Sequence, residues 1–140
     1  MWGLCAGVVA WNLVGCATLT PVATAALDHK HYWIAGNDTA LIHLLTSAHV
    51  HTLISNDYWV GMRLTFESDE RVITVMRFPD GHLGFNRYPP YAARGLADPQ
   101  PGYLELVGTA EAAALVQRAA TLPTYHLLPW GQFILLLPNK

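Results

Sequence analysis

The chain has 140 residues, a formal net charge of −2 and only 13 % charged residues against 52 % hydrophobic ones. That length holds one domain-sized unit. A balance this close to neutral, with the Lys and Arg residues scattered, excludes the basic footprint of a nucleic-acid binder. The apolar excess sits at one end: residues 1–27 contain no Asp, Glu, Lys, Arg or His.

A bilayer core takes about 20 consecutive apolar residues, so residues 1–27 predict a transmembrane helix. Two other readings stay open. A cleaved secretory signal would normally carry a basic residue before its apolar run, and none precedes this one. A lipoprotein signal is suggested by Leu13-Val14-Gly15-Cys16, with Cys16 as the lipidated residue, but it too lacks the basic start. After the block, Asp28-His29-Lys30-His31 carries one firm positive charge. A cytoplasmic flank would carry more, so the remainder is expected on the extracytoplasmic side of a bacterial cytoplasmic membrane. An apolar helix beginning at residue 1 reads as the last span of a longer protein. Residues 28–36 then form a linker and 37–140 a soluble domain. Cys5 and Cys16 both lie in the apolar block, so the domain uses no disulfide.

Asn37 and Asp38 offer helix caps, and Leu41, Leu44, Leu45 and Ala48 an apolar face, predicting a helix over 38–48. Residues 51–55 read as a strand, and Ser55-Asn56-Asp57 as the turn out of it. A helix over 57–66 places Trp59, Met62, Arg63 and Phe66 at helical spacing. Residues 71–78 are rich in β-branched side chains and read as a strand. Pro79, Pro89, Pro90, Pro99 and Pro101 predict an irregular excursion over 79–102. A strand over 103–107, an alanine-rich helix over 109–119, and strands over 124–128 and 132–137 around a Pro129-Trp130-Gly131 turn complete the chain. Strands alternating with helices predict a small three-layer α/β domain with a mostly parallel sheet and a C-terminal hairpin.

In open α/β sheets, ligands bind beyond the C-terminal ends of the strands. The first strand ends at Ser55, which directs attention to Asp57, Tyr58 and Trp59. Asp57 reads either as a helix cap or as an acceptor for a sugar or other polar ligand, and Trp59 either as core or as a stacking platform. Arg63 and Glu67 stand at i,i+4, the spacing of a surface ion pair. Asp69 and Glu70 read as a polar turn. Arg87, Tyr88 and Tyr91, stiffened by Pro89 and Pro90, offer a preorganised polar and aromatic surface. The seven histidines fall into no zinc-binding spacing. There is no P-loop, dinucleotide fingerprint or nucleophile elbow. The residues therefore predict no metal, no cofactor and no self-contained catalytic site.

The run Asp57-Tyr58-Trp59, Arg63-Leu64-Thr65-Phe66-Glu67-Ser68, Glu70-Arg71-Val72-Ile73 and Arg87-Tyr88-Pro89-Pro90-Tyr91 resembles the C-terminal extracytoplasmic region of bacterial polytopic membrane glycosyltransferases. These are similar to the dolichyl-phosphate-mannose mannosyltransferases and the lipid A aminoarabinose transferases. The resemblance covers residues 50–95 and the plan of a final membrane helix before a compact domain. It implies transfer of a sugar from a polyprenyl-phosphate donor by the whole enzyme. That family's catalytic acid lies in an early loop between membrane helices, and nothing here matches that loop, so the resemblance implies an accessory domain that does not transfer sugar alone. Asp57, Tyr58, Trp59, Arg63, Glu67, Arg87, Tyr88 and Tyr91 become its ligand-binding candidates. Membrane lipid, the remaining membrane domain of the parent protein, and a glycan or lipid-linked sugar become the partners. The alternative is a stand-alone binding or interaction module, anchored by its helix or as a lipoprotein.

Overall fold

The computed structural model describes residues 38–78 and 80–139, together with Gly7 and Val14. The expected membrane helix over 1–27, Cys16 and the 28–36 linker lie outside the described residues, apart from those two positions. Among the described residues no helix is long and apolar enough to cross a membrane. A compact unit begins at Asp38.

In chain order its elements are α1 (Thr39–Ser47), β1 (Thr52–Ser55), α2 (Tyr58–Glu67), β2 (Ile73–Met76), α3 (Pro89–Leu96), β3 (Gly102–Leu106), α4 (Ala110–Ala119), β4 (Tyr125–Trp130) and β5 (Phe133–Pro138). The strands form one sheet in the order β2-β1-β3-β5-β4. β1 runs parallel to both β2 and β3, while β5 is antiparallel to β3 and β4. The sheet is therefore mixed rather than mostly parallel. The C-terminal hairpin lies at one edge of the sheet as expected, with β5 beside β3 and β4 outermost.

Strand alternation assigns the faces. Thr52 and Ile54 share one face with Ile73, Val75, Tyr103, Glu105, Ile134 and Leu136; Leu53 and Ser55 share the other with Thr74, Gly102, Leu104 and Leu135. On the first face Leu115 of α4 packs with Ile54, Tyr103 and Leu136. Gly95 of α3 lies against Val75 and Thr52, also on the first face, whereas Gly61 of α2 lies against Thr74 on the second. Helices therefore cover both faces.

Of the two readings of Trp59, the core one is not met on α2. Val60, Gly61, Leu64 and Thr65 point inward, while Trp59 and Phe66 are exposed. Small residues win this face because they let the helix approach the sheet. The Thr65 hydroxyl then bridges the two elements, donating to the Gly61 carbonyl at 3.1 Å and accepting the Thr74 N–H at 2.9 Å.

The excursion over 79–102 contains α3, which the prolines obscure. Pro89 and Pro90 occupy the first helical positions. There the missing N–H would have no intrahelical partner and the fixed φ suits the helix. β2 is shorter than expected because only Arg77 continues it, through a single bridge to Leu83. Asn86 then closes part of this edge strand, accepting from the Met76 N–H and donating to the Met76 carbonyl. At the hairpin, Pro129 and Trp130 belong to β4. The chain turns at Gly131, whose φ of 56° favours glycine.

The two glycine contacts give a test. A methyl at Gly61 would stand 2.5 Å from Thr74 Cγ2, and one at Gly95 would collide with Val75. Gly61→Ala and Gly95→Ala are each expected to destabilise the domain by about 1–3 kcal/mol despite the better helix propensity of alanine. Denaturant melts check this, and melting points at or above the parent's would refute the close packing.

Candidate functional site

Winding reverses at β1. From β1 the chain passes through α2 to β2 on one side, then returns through α3 to β3 on the other side. In doubly wound sheets this reversal opens a crevice at the C-terminal ends of the two diverging strands. Here those ends are Ser55 and Leu106, and a cavity of about 330 Å³ lies there on the face shared by α3 and α4.

Ile54, Tyr103 and Leu115 form the apolar part of its wall, and Arg77, Glu105 and Arg118 the main polar part. Each side chain is placed by a different element. Tyr103 and Glu105 come from β3, two residues apart and hence on one face. Glu111 and Arg118 come from α4, two turns apart on one side. Arg77 follows β2 and is fastened by its Nε, which donates to the Gly81 carbonyl at 2.9 Å. Phe78, Asp80 and Gly81 complete that side.

Glu105 is the most perturbed group of the site. Burial pushes its carboxyl up from 4.5 to about 8, and the nearby Glu111 and Asp57 carboxylates add to the effect. The Asn56 backbone N–H donates to Oε1 at 3.2 Å and opposes the shift. At neutral pH Glu105 therefore holds its proton and is a hydrogen-bond donor. The Asn56 contact also ties the turn after β1 to β3 across the crevice. Arg118 lies over the Tyr103 ring, with Cζ 4.5 Å from the centroid, and donates from Nη2 to the Tyr103 hydroxyl at 3.0 Å. A cation on an aromatic face is held in orientation without being neutralised.

No protein-family model, curated protein or solved structure matches this chain. The geometry has to carry the functional argument by itself.

The sequence-predicted candidates fall into several places, none of them in this cavity. Asp57 caps α2: its Oδ1 accepts the Val60 N–H at 2.9 Å, and the Ser55 hydroxyl accepts its own N–H. Asp57 and Tyr58 line a recess of about 10 Å³ beside Phe85 and Asn86, room for about one water and no sugar. Trp59 is outside the core at 56 % exposure and meets Tyr58 edge-on, with centroids 5.1 Å apart. Arg63 is held by Asp38: its Nε donates to Asp38 Oδ2 at 2.6 Å, with both side chains largely buried. Glu67 feels both partners electrostatically. Its carboxyl is raised by burial first and by Asp38 second, with Arg63 opposing.

Tyr88 and Tyr91 meet edge-on at 4.6 Å and, with Glu70 and Arg94, line an open depression at the start of α3. A hydrogen bond to Glu70 is the largest cause of the raised Tyr91 hydroxyl. Arg87 is exposed and lines neither this depression nor the cavity. Asp69 and Glu70 form the expected turn, with positive φ at both. Among the described residues no group of three His, Cys, Asp or Glu side chains is arranged to hold a metal.

Tyr103, Glu105, Arg77, Glu111 and Arg118 were missed by sequence reasoning. One signal was present: Glu105 is the only acid in an otherwise apolar strand, and alternation puts it beside Tyr103.

The state of Glu105 predicts a pH dependence. A carboxyl raised to about 8 in the fold and near 4.5 in the unfolded chain makes the folded state bind the extra proton between those values. Stability is then greatest in acid, falls as pH rises from 4.5 to 8, and is level above. For a half-buried group the loss is about 1–3 kcal/mol. Glu105→Gln is expected to remove this slope and to be the more stable protein at pH 9. Urea melts of both chains at pH 5 and pH 9 check it; parallel pH profiles would contradict the buried-acid assignment.

Proposed function

We propose that residues 38–140 are an extracytoplasmic accessory domain of a membrane glycosyltransferase, a binding module that holds part of a glycan or lipid-linked sugar and does not catalyse its transfer. The observation that carries the binding half is the cavity at the winding reversal, with apolar floor and convergent polar side chains from β3, α4 and the loop after β2. Sites of this kind occur preferentially at such switch points and combine an apolar lining with a few placed polar groups.

The non-catalytic half rests on what the cavity groups can do. Glu105 is a proton-bearing carboxyl, and Arg77 and Arg118 are permanent donors. No cysteine, serine or histidine lines the cavity, and its other carboxylates are Asp80, which is paired with His82, and Glu111. The glycosyltransferase context rests on the resemblance of the Asp57 to Tyr91 run and on the apolar residues 1–27.

Two measurements test the reading together. The full chain, expressed in a bacterium with a C-terminal reporter, is expected in the carbonate-resistant membrane fraction, with alkaline phosphatase fusions active and fluorescent-protein fusions dark. Purified in detergent with a polyprenyl-phosphate sugar and a lipid acceptor, it is expected to give no transfer product. A cytosolic location, or sugar transfer by the isolated chain, would defeat the proposal.

A further inference from the structure

The cavity carries enough detail to name its ligand. We propose that it is a subsite for a single uncharged sugar ring, read through its hydroxyls by Glu105, Arg77 and Arg118. This rests on the binding-module reading and goes beyond it by excluding the phosphate as the recognised group.

Size is the first argument. About 330 Å³ lies at the small end of ligand sites, which run from roughly 300 to 1,000 Å³. One ring fits within it.

Charge is the second. Phosphate at a switch point ordinarily sits on the N-terminus of the helix after the first strand. Here that position is taken by a carboxylate, since Asp57 caps α2. α4, which does line the cavity, carries Glu111 in its first turn. Both dipole ends are already satisfied by acids, which repel an anion. Around the cavity, Arg77 and Arg118 are balanced by Asp80 and Glu111, and Glu105 is uncharged at neutral pH. Asp80 in turn is paired with His82. The lining is dense in donors and acceptors yet has no net field to select an ion.

Preorganisation is the third. Asn56 occupies Oε1 of Glu105, leaving Oε2 and its proton for a ligand hydroxyl. Arg118 is fixed by the Tyr103 ring and hydroxyl. Arg77 is fixed through Nε, which leaves its terminal amino groups for a ligand. Forked donors beside a carboxyl suit vicinal hydroxyls, which each donate and accept.

The experiment uses the full chain in detergent micelles, with saturation-transfer NMR and calorimetry. The neutral probes are methyl α-mannopyranoside and methyl α-glucopyranoside; the anionic probes are glucose 6-phosphate and inorganic phosphate. The neutral glycosides are expected to bind at pH 7 and inorganic phosphate not to bind. Arg118→Ala, which removes an exposed side chain and leaves the core intact, is expected to weaken the glycosides about tenfold. Glu105→Leu should weaken them similarly, whereas Glu105→Gln, whose amide keeps a donor, should stay within about threefold. Amide spectra confirm that each variant is folded. Binding of glucose 6-phosphate without the glycosides would overturn the neutral-ring assignment and leave the binding module standing. Binding of no sugar at all would remove both. Glycoside binding unchanged in Arg118→Ala and Glu105→Leu would place the sugar elsewhere and refute this subsite.

Discussion

The structure depends on the reversal of winding at β1. That strand is buried along its whole length and is hydrogen-bonded on both sides by parallel neighbours. Parallel neighbours require crossovers, and crossovers require helices over the faces. α2 covers the β1–β2 half on one face through Gly61, and α3 covers it on the other through Gly95. α4 covers β3 and the hairpin strands. The stretch of face between α3 and α4 is left over, and the cavity is that remainder. Its position follows from topology before any polar side chain is considered.

Filling the remainder with polar groups has a thermodynamic consequence. Tyr103 could have been followed on this face of β3 by another apolar residue, as Leu104 is followed by Leu106 on the opposite face. Instead Glu105 stands there with its proton held by burial. A buried acid that spends neutral pH uncharged opposes stability as pH rises. The Asn56 N–H offsets part of the cost and also pins the β1–α2 turn. Such local conflicts between stability and side-chain choice concentrate at functional sites.

What the sequence made legible was decided by local chemistry. Asp57 announces its helix by the cap bond expected of it, and Thr109 caps α4 in the same way. β-Branched runs announce β2, and the terminal strands are evident within a few residues. Two features were hidden. α3 was masked by Pro89 and Pro90, which break a helix in its interior but begin one at its first positions. The inward face of α2 was not settled by the sequence, where Trp59 read either as core or as a platform: Val60 and Leu64 are buried with Gly61 and Thr65, and the close approach at Gly61 leaves Trp59 and Phe66 outside. The cavity was invisible for a further reason. Its groups come from positions 54, 77, 103, 105, 111 and 118, and only the strand order brings them together.

This separation bears on the glycosyltransferase-like run. Several of its residues hold the scaffold. Asp57 caps α2, Arg63 pairs with Asp38, Thr65 bridges α2 to β2, and Ser68 both donates to and accepts from the backbone of Val72. Arg71 donates to the Ser68 carbonyl, while Pro89 and Pro90 start α3. Together they build the β1–α2–β2–α3 frame that creates the switch point. Tyr103, Glu105 and Arg118, which give the cavity its chemistry, all lie beyond the run. A chain that shared the run would share the frame and the position of the crevice while remaining free to vary what the crevice holds. On the proposed binding reading, ligand preference would be set by β3, α4 and Arg77 in the loop after β2.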